Sequence, residues 1–112
     1  GVLALNNSTF AVPLTLSGSI QTASLSGALG LGLTGNDAAN NITGNSGNKT
    51  LTGNAGNDVL SGADGSDTIN GGDNDDSLNG GAGNDTLDGG AGTDTATFTG
   101  QYSDYAFSFS GT

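Results

Sequence analysis

Eleven residues of this 112-residue chain are acidic, and all eleven are Asp; there is no Glu. Five of them, Asp58, Asp67, Asp76, Asp85 and Asp94, recur at intervals of nine. Asp is short, suits turns and offers oxygen to hard cations, whereas Glu prefers helices. The groups for other chemistry are missing. No His, Cys, Glu or Arg is present, which removes the usual general acid–base, thiol and zinc chemistry. Asp pairs can hydrolyse glycosides, but carboxylates that repeat regularly are unlike a single asymmetric site, and the chain is read as not an enzyme.

These carboxylates lie on a grid. From Gly35 the chain divides into seven nonapeptides: GNDAANNIT, GNSGNKTLT, GNAGNDVLS, GADGSDTIN, GGDNDDSLN, GGAGNDTLD and GGAGTDTAT. Position one is always Gly (Gly35, Gly44, Gly53, Gly62, Gly71, Gly80, Gly89), and position eight is always aliphatic (Ile42, Leu51, Leu60, Ile69, Leu78, Leu87, Ala96). Position six is Asp in the last five repeats and Asn40 and Lys49 in the first two. Self-similarity at a fixed short period is the mark of a solenoid.

The elements that must carry the carboxylates follow from the same grid. The first six residues of each repeat form a turn that needs positive φ and close backbone approach, which Gly supplies and Asn tolerates. The last three, such as Val59-Leu60-Ser61, form a short strand whose middle side chain points inward. One nonapeptide is half a coil, so residues 18 apart stack. Ile42, Leu60, Leu78 and Ala96 make one inner ladder, and Leu51, Ile69 and Leu87 face them. One aliphatic per nine residues is a thin core, too little burial to offset chain entropy alone.

This pattern resembles the RTX (repeats-in-toxin) family, whose repeat reads G-G-x-G-x-D-x-U-x, over residues 35–97 and most closely in GGAGNDTLD and GGAGTDTAT. The resemblance implies an all-β, right-handed parallel β-roll with two short strands per 18-residue turn. It also implies Ca²⁺ held between stacked turns by paired sixth-position Asp residues and turn carbonyls. Carried over by position, Asp58 pairs with Asp76, Asp76 with Asp94, and Asp67 with Asp85, giving three sites. Asn40 with Asp58 makes a weaker fourth. The expected carbonyls are those of Gly53, Ala55, Gly62, Asp64, Gly71, Gly72, Asp73, Asn74, Gly81, Gly83, Gly90 and Gly92. Asn74 and Ala38 replace fourth-position Gly, so distorted turns are expected there.

Lys49 departs from the pattern, occupying position six directly below Asp67. One reading makes it a built-in cation that fills the vacant site and caps the calcium column. The other makes it an exposed Lys in a degenerate repeat, where ion pairs are worth little. Asp37, Asp64, Asp73, Asp75 and Asp88 fall on turn or outward positions and read as solvated surface charge. Glycosylation sequons begin at Asn6, Asn7, Asn41, Asn48 and Asn84, three of them on the grid, where Asn and Thr are expected anyway.

Three regions result: 1–34, metal-free β coils or a strand cap; 35–97, the calcium-binding roll; and 98–112, a capping strand in which Tyr105, Phe107 and Phe109 alternate. Val12-Leu14-Leu16 and Leu29-Leu31-Leu33 alternate likewise, and Pro13 argues for an edge position. Hydrophobic residues make up 32% and aromatics 5%, and the net charge is −10. That combination usually means disorder, unless a cation from outside neutralises the chain. With Lys49 as its one basic residue, the chain has no surface for nucleic-acid phosphates or anionic lipid. No apolar run is long enough to span a bilayer, no signal peptide is visible at Gly1, and there is no Cys for a disulfide.

The leading functional expectation is a calcium-dependent folding and secretion module of an extracellular bacterial protein. Family members generally carry a C-terminal signal for a type I exporter, and only fifteen residues follow the last repeat. A second reading is a calcium-stabilised surface-layer or filament subunit that self-associates through its terminal strands or solenoid ends. A third, a glycan-binding appendage resembling alginate epimerase modules, is disfavoured because a surface at −10 repels uronate polymers.

Overall fold

A computed structural model describes residues 2–6, 14–16, 18, 20–27, 30, 32–97 and 105–108, with side chains left out of account for 2–6, 14 and 105–108. The described strands are, in chain order, β1 (Val2–Asn6), β2 (Leu14–Thr15), β3 (Thr22–Ser26), β4 (Gly32–Thr34), β5 (Asn41–Thr43) and β6 (Thr50–Thr52). β7 (Val59–Ser61), β8 (Thr68–Asn70), β9 (Ser77–Asn79), β10 (Asp85–Asp88), β11 (Thr95–Thr97) and β12 (Tyr105–Ser108) complete them. Odd strands form one parallel sheet in the order β1-β3-β5-β7-β9-β11, and even strands form the other, β12-β10-β8-β6-β4-β2. The fold is a parallel β-roll. Three-residue strands suffice because each hydrogen-bonds to its neighbours in the stack, and the turns between them are themselves part of the ladder.

The inner ladders are as the grid predicts. Ile42 lies under Leu60, Leu60 under Leu78 and Leu78 under Ala96, while Leu51, Ile69 and Leu87 stack on the facing sheet. All are fully buried except Ala96, which is partly covered. The ladders extend beyond the repeats through Leu33, Leu16, Ala23 and Leu25.

The flanking strands join these same two sheets. From β4 to β11 each strand lies 18 residues from its neighbour, as in Gly32↔Thr50 and Ser77↔Thr95. Outside that span the coils are longer: β3 and β5 are offset by 19 (Thr22↔Asn41), β1 and β3 by 20 (Val2↔Thr22), and β10 and β12 by 20 (Asp85↔Tyr105). The expected alternating segments are thus strands of the roll at Leu14–Thr15, Gly32–Thr34 and Tyr105–Ser108. Pro13, Val12, Leu29, Leu31, Phe109 and the side chains of Tyr105 and Phe107 lie outside the described residues.

Within the repeats, positive φ is confined to two turn positions rather than spread over six. From the third repeat onward it falls on positions two and four: Asn54, Gly56, Ala63, Gly65, Gly72, Asn74, Gly81, Gly83, Gly90 and Gly92. Asn74 keeps φ 74 and its turn is undistorted, because Asn tolerates this region nearly as well as Gly. The first two repeats turn differently. There Asn36 Oδ1 accepts from Ala38 N, and Asn45 Oδ1 from Gly47 N, each at 3.0 Å, so the Asn side chain closes the turn.

Candidate metal centres

The turns place the sixth-position residue of each repeat at the corner where a coil enters its strand, pointing inward. Its carbonyl accepts from the seventh-position N–H one coil on, as in Ser77 N to Asp58 O at 2.8 Å. Its own N–H donates to the next coil's sixth-position carboxylate. Asn40 N donates to Asp58 Oδ1 at 2.7 Å, Lys49 N to Asp67 Oδ1 at 2.9 Å, and Asp58 N to Asp76 Oδ1 at 2.8 Å. Asp67 N donates to Asp85 Oδ1 at 2.9 Å and Asp76 N to Asp94 Oδ1 at 2.8 Å. One carboxylate oxygen therefore continues the coil-to-coil ladder through the corner. The structure brings together each Asp pair that the grid predicts along its edge.

The second oxygen is different. Oδ2 of Asp58, Asp67 and Asp76 is buried and accepts no hydrogen bond from the described residues. A buried carboxylate oxygen without a partner is costly, and a cation is the usual remedy. Burial pushes the Asp58 and Asp76 carboxyls up from 3.8 to about 6, despite the N–H of the coil below, and the neighbouring Asp adds repulsion in each case. Asp67 is raised as well, since burial outweighs the pull of Lys49.

Backbone oxygens complete the setting. A Cβ at Gly53 would lie against Asp58 Oδ2 and 2.6 Å from Gly71 O, so only Gly leaves room for these two oxygens to converge. Carbonyls at positions two and four point toward the following coil: Asn54 O lies beneath Gly72, Gly65 O beneath Gly83 and Asn74 O beneath Gly92. No three Asp side chains gather at a point among the described residues. Two carboxylates and a set of carbonyls, all acceptors, suit a hard cation with six to eight oxygen ligands.

Lys49 shows how such a set is used. It is buried, and its ammonium pairs with Asp67 Oδ1 at 3.0 Å. The same Nζ donates to Asn45 O, to Gly47 O and, at 3.0 Å, to Asp64 O. Lys49 is therefore not the exposed residue of the second sequence reading. The carbonyls around it come from positions two and four of the lower coil and position three of the upper. Of the carbonyls that the resemblance implied, that of Asp64 is among these partners.

Asn40, the weaker ligand expected, makes hydrogen bonds within the protein. Its Oδ1 accepts from Asn36 N at 3.0 Å, and its Nδ2 donates to Ile20 O and Asn36 Oδ1, each at 3.1 Å. The carboxamide is occupied by protein partners.

Two features of the turns went unseen in the sequence. Fifth-position Asx residues form a second ladder in the opposite sense: Asn48 Oδ1 accepts from Ser66 N at 2.7 Å, Asn57 Oδ1 from Asp75 N at 3.0 Å, and Asp75 Oδ1 from Thr93 N at 2.8 Å. Asp88 Oδ1 accepts from Gly90 N at 3.0 Å. Asp75 and Asp88 are thus structural acceptors rather than idle charges. The recurrence of Asx at position five was the available signal. Among the grid sequons, Asn41, Asn48 and Asn84 are all exposed, and the Asn48 side chain is held by the ladder.

Two columns of buried carboxylates, set in carbonyl-lined corners of a parallel β-roll, define a cation-binding solenoid. A model of the RTX calcium-binding nonapeptide repeat matches residues 34–69 and 61–96, in four copies, and the chain belongs to that family. It is a calcium-binding repeat module. No curated protein and no solved structure matches it.

Proposed function

We propose that calcium drives the folding of this module in an extracellular, type I-secreted bacterial protein. The observation that supports it best is the set of buried Oδ2 atoms at Asp58, Asp67 and Asp76 that accept no hydrogen bond from the described residues. Following the oxygens around Lys49, and adding Gly71 O where it converges with Asp58 Oδ2, the ion between Asp58 and Asp76 would be held by those carboxylates with the carbonyls of Asn54, Gly56, Gly71 and Asp73. The same positions one repeat on serve Asp67 with Asp85, and two repeats on serve Asp76 with Asp94. Three such ions would take the net charge from −10 to −4. Calcium supplies a charge that neutralises the column, and the chain's residues supply a cradle that closes only when coils stack.

Extracellular modules bind Ca²⁺ with dissociation constants of roughly 10⁻⁴–10⁻³ M, which keeps such a chain unfolded in the cytosol and folds it outside. Circular dichroism in chelator and then in millimolar Ca²⁺ tests this: β signal from the coils after Gly53 should appear only with the ion. A spectrum indifferent to chelator removes the proposal. Self-association is a second reading, since β1 and β11 end one sheet and β2 and β12 the other, so a second copy has strands to extend. Size-exclusion chromatography with and without Ca²⁺ distinguishes the two.

A further inference from the structure

Lys49 is the one basic residue of the sequence and is only 3% exposed. A strongly hydrated ammonium on a flexible stem normally keeps its head in water. Here it is turned inward, and its position relative to the other repeats is informative. A Cβ at Gly44 would lie against Lys49 Cε and 2.7 Å from Gly62 O, just as a Cβ at Gly53 would lie against Asp58 Oδ2 and 2.6 Å from Gly71 O. Lys49 Cε therefore stands where its neighbouring repeat has the carboxylate oxygen. Nζ lies one bond further, where that oxygen's cation belongs, and its partners are oxygens alone: Asn45 O, Gly47 O, Asp64 O and Asp67 Oδ1.

We infer that Lys49 is a covalently tethered substitute for a metal ion, which rivets residues 44–52 to 62–70 without calcium. The other edge begins in a similar way, with Asn40 satisfied by Asn36 and Ile20. Both columns are thus closed at their N-terminal end by the protein's own donors, and dependence on the ion starts with the coils above. Those first coils form a metal-independent template on which later coils stack as they load, in the nearest-neighbour manner of solenoids. The inference rests on the calcium reading of the later coils, but not on the number of ions they take.

Hydrogen–deuterium exchange of the whole chain in chelator tests it. The amides of Lys49 and Thr68, which donate to Asp67 Oδ1 and Lys49 O, report the rivet. Peptides spanning 44–70 should exchange about tenfold or more slowly than those spanning 76–97, a factor in line with charge-assisted hydrogen bonds. Lys49→Met keeps the stem, loses the charge and should abolish the difference. Lys49→Asp should abolish it too, then regain protection in saturating Ca²⁺ and bind one ion more than the parent by native mass spectrometry. Unchanged protection in Lys49→Met, no difference between the two halves of the parent, or equal ion counts for parent and Lys49→Asp would each overturn the inference. Failure of the calcium reading looks different: the parent itself takes up no ions, and 76–97 gains no protection when they are added.

Discussion

Asp76→Asn separates the two jobs of a sixth-position carboxylate. Oδ1 of Asp76 accepts the Asp58 N–H at 2.8 Å, and an amide oxygen can do the same, so the coil-to-coil rung survives. What is lost is negative charge in a place shared by two cation sites, one with Asp58 below and one with Asp94 above. An ion that binds only the folded chain stabilises it by about 2.7 kcal/mol at a free concentration one hundred times its dissociation constant. Loss of two sites therefore costs about 5 kcal/mol under those conditions, comparable to the whole stability of a small domain. Asp94→Asn removes one site and costs about half as much. Urea denaturation at fixed Ca²⁺ gives the energies, and isothermal titration gives the ion counts. In chelator the ranking should vanish, because the Asn variant carries one buried charge fewer. Equal ion losses for Asp76→Asn and Asp94→Asn would refute the sharing of Asp76, and with it the pairing along the edge.

The metal-free fold should respond to acid in the direction opposite to the loaded one. Asp58 and Asp76 titrate at about 6 in the folded chain against 3.8 ordinarily, so the fold binds extra protons between those values. In chelator folding is therefore most favoured below pH 4 and is lost as pH rises toward 6, whereas the Ca²⁺ midpoint should worsen as pH drops through 6; circular dichroism across pH 4–8 reads both. Gly53→Ala places a methyl against Asp58 Oδ2 and Gly71 O, so Ca²⁺ stoichiometry should fall by one. A parent-like count would show that these two oxygens do not share a cation. Asp75→Ala removes the acceptor of Thr93 N and should cost about 1 kcal/mol in Ca²⁺, while Asp75→Asn should be neutral in a denaturant titration. Were Asp75 idle surface charge, both would be neutral.

The sequence by itself determined the architecture, because in a solenoid the period does what long-range contacts do elsewhere. Once 18 residues make a coil, every residue's neighbours follow by counting, which is why the ladders Ile42–Leu60–Leu78–Ala96 and Leu51–Ile69–Leu87 and the pairing of the Asp columns were legible. Counting says nothing about the direction in which a peptide group faces. Asn45 and Asn54 hold the same repeat position, yet Asn45 closes its turn with its side chain, while Asn54 has φ 75 and donates from Nδ2 to Gly35 O in the coil below. Such signs of φ decide which carbonyls line a corner, and they depend on the coils above and below. The fate of Lys49 was open for the same reason: only stacking shows four oxygens converging on a place where an ammonium is better paired than in water. The lengthened coils at either end likewise escaped the grid, since nothing in residues 1–34 or 98–112 repeats with its phase.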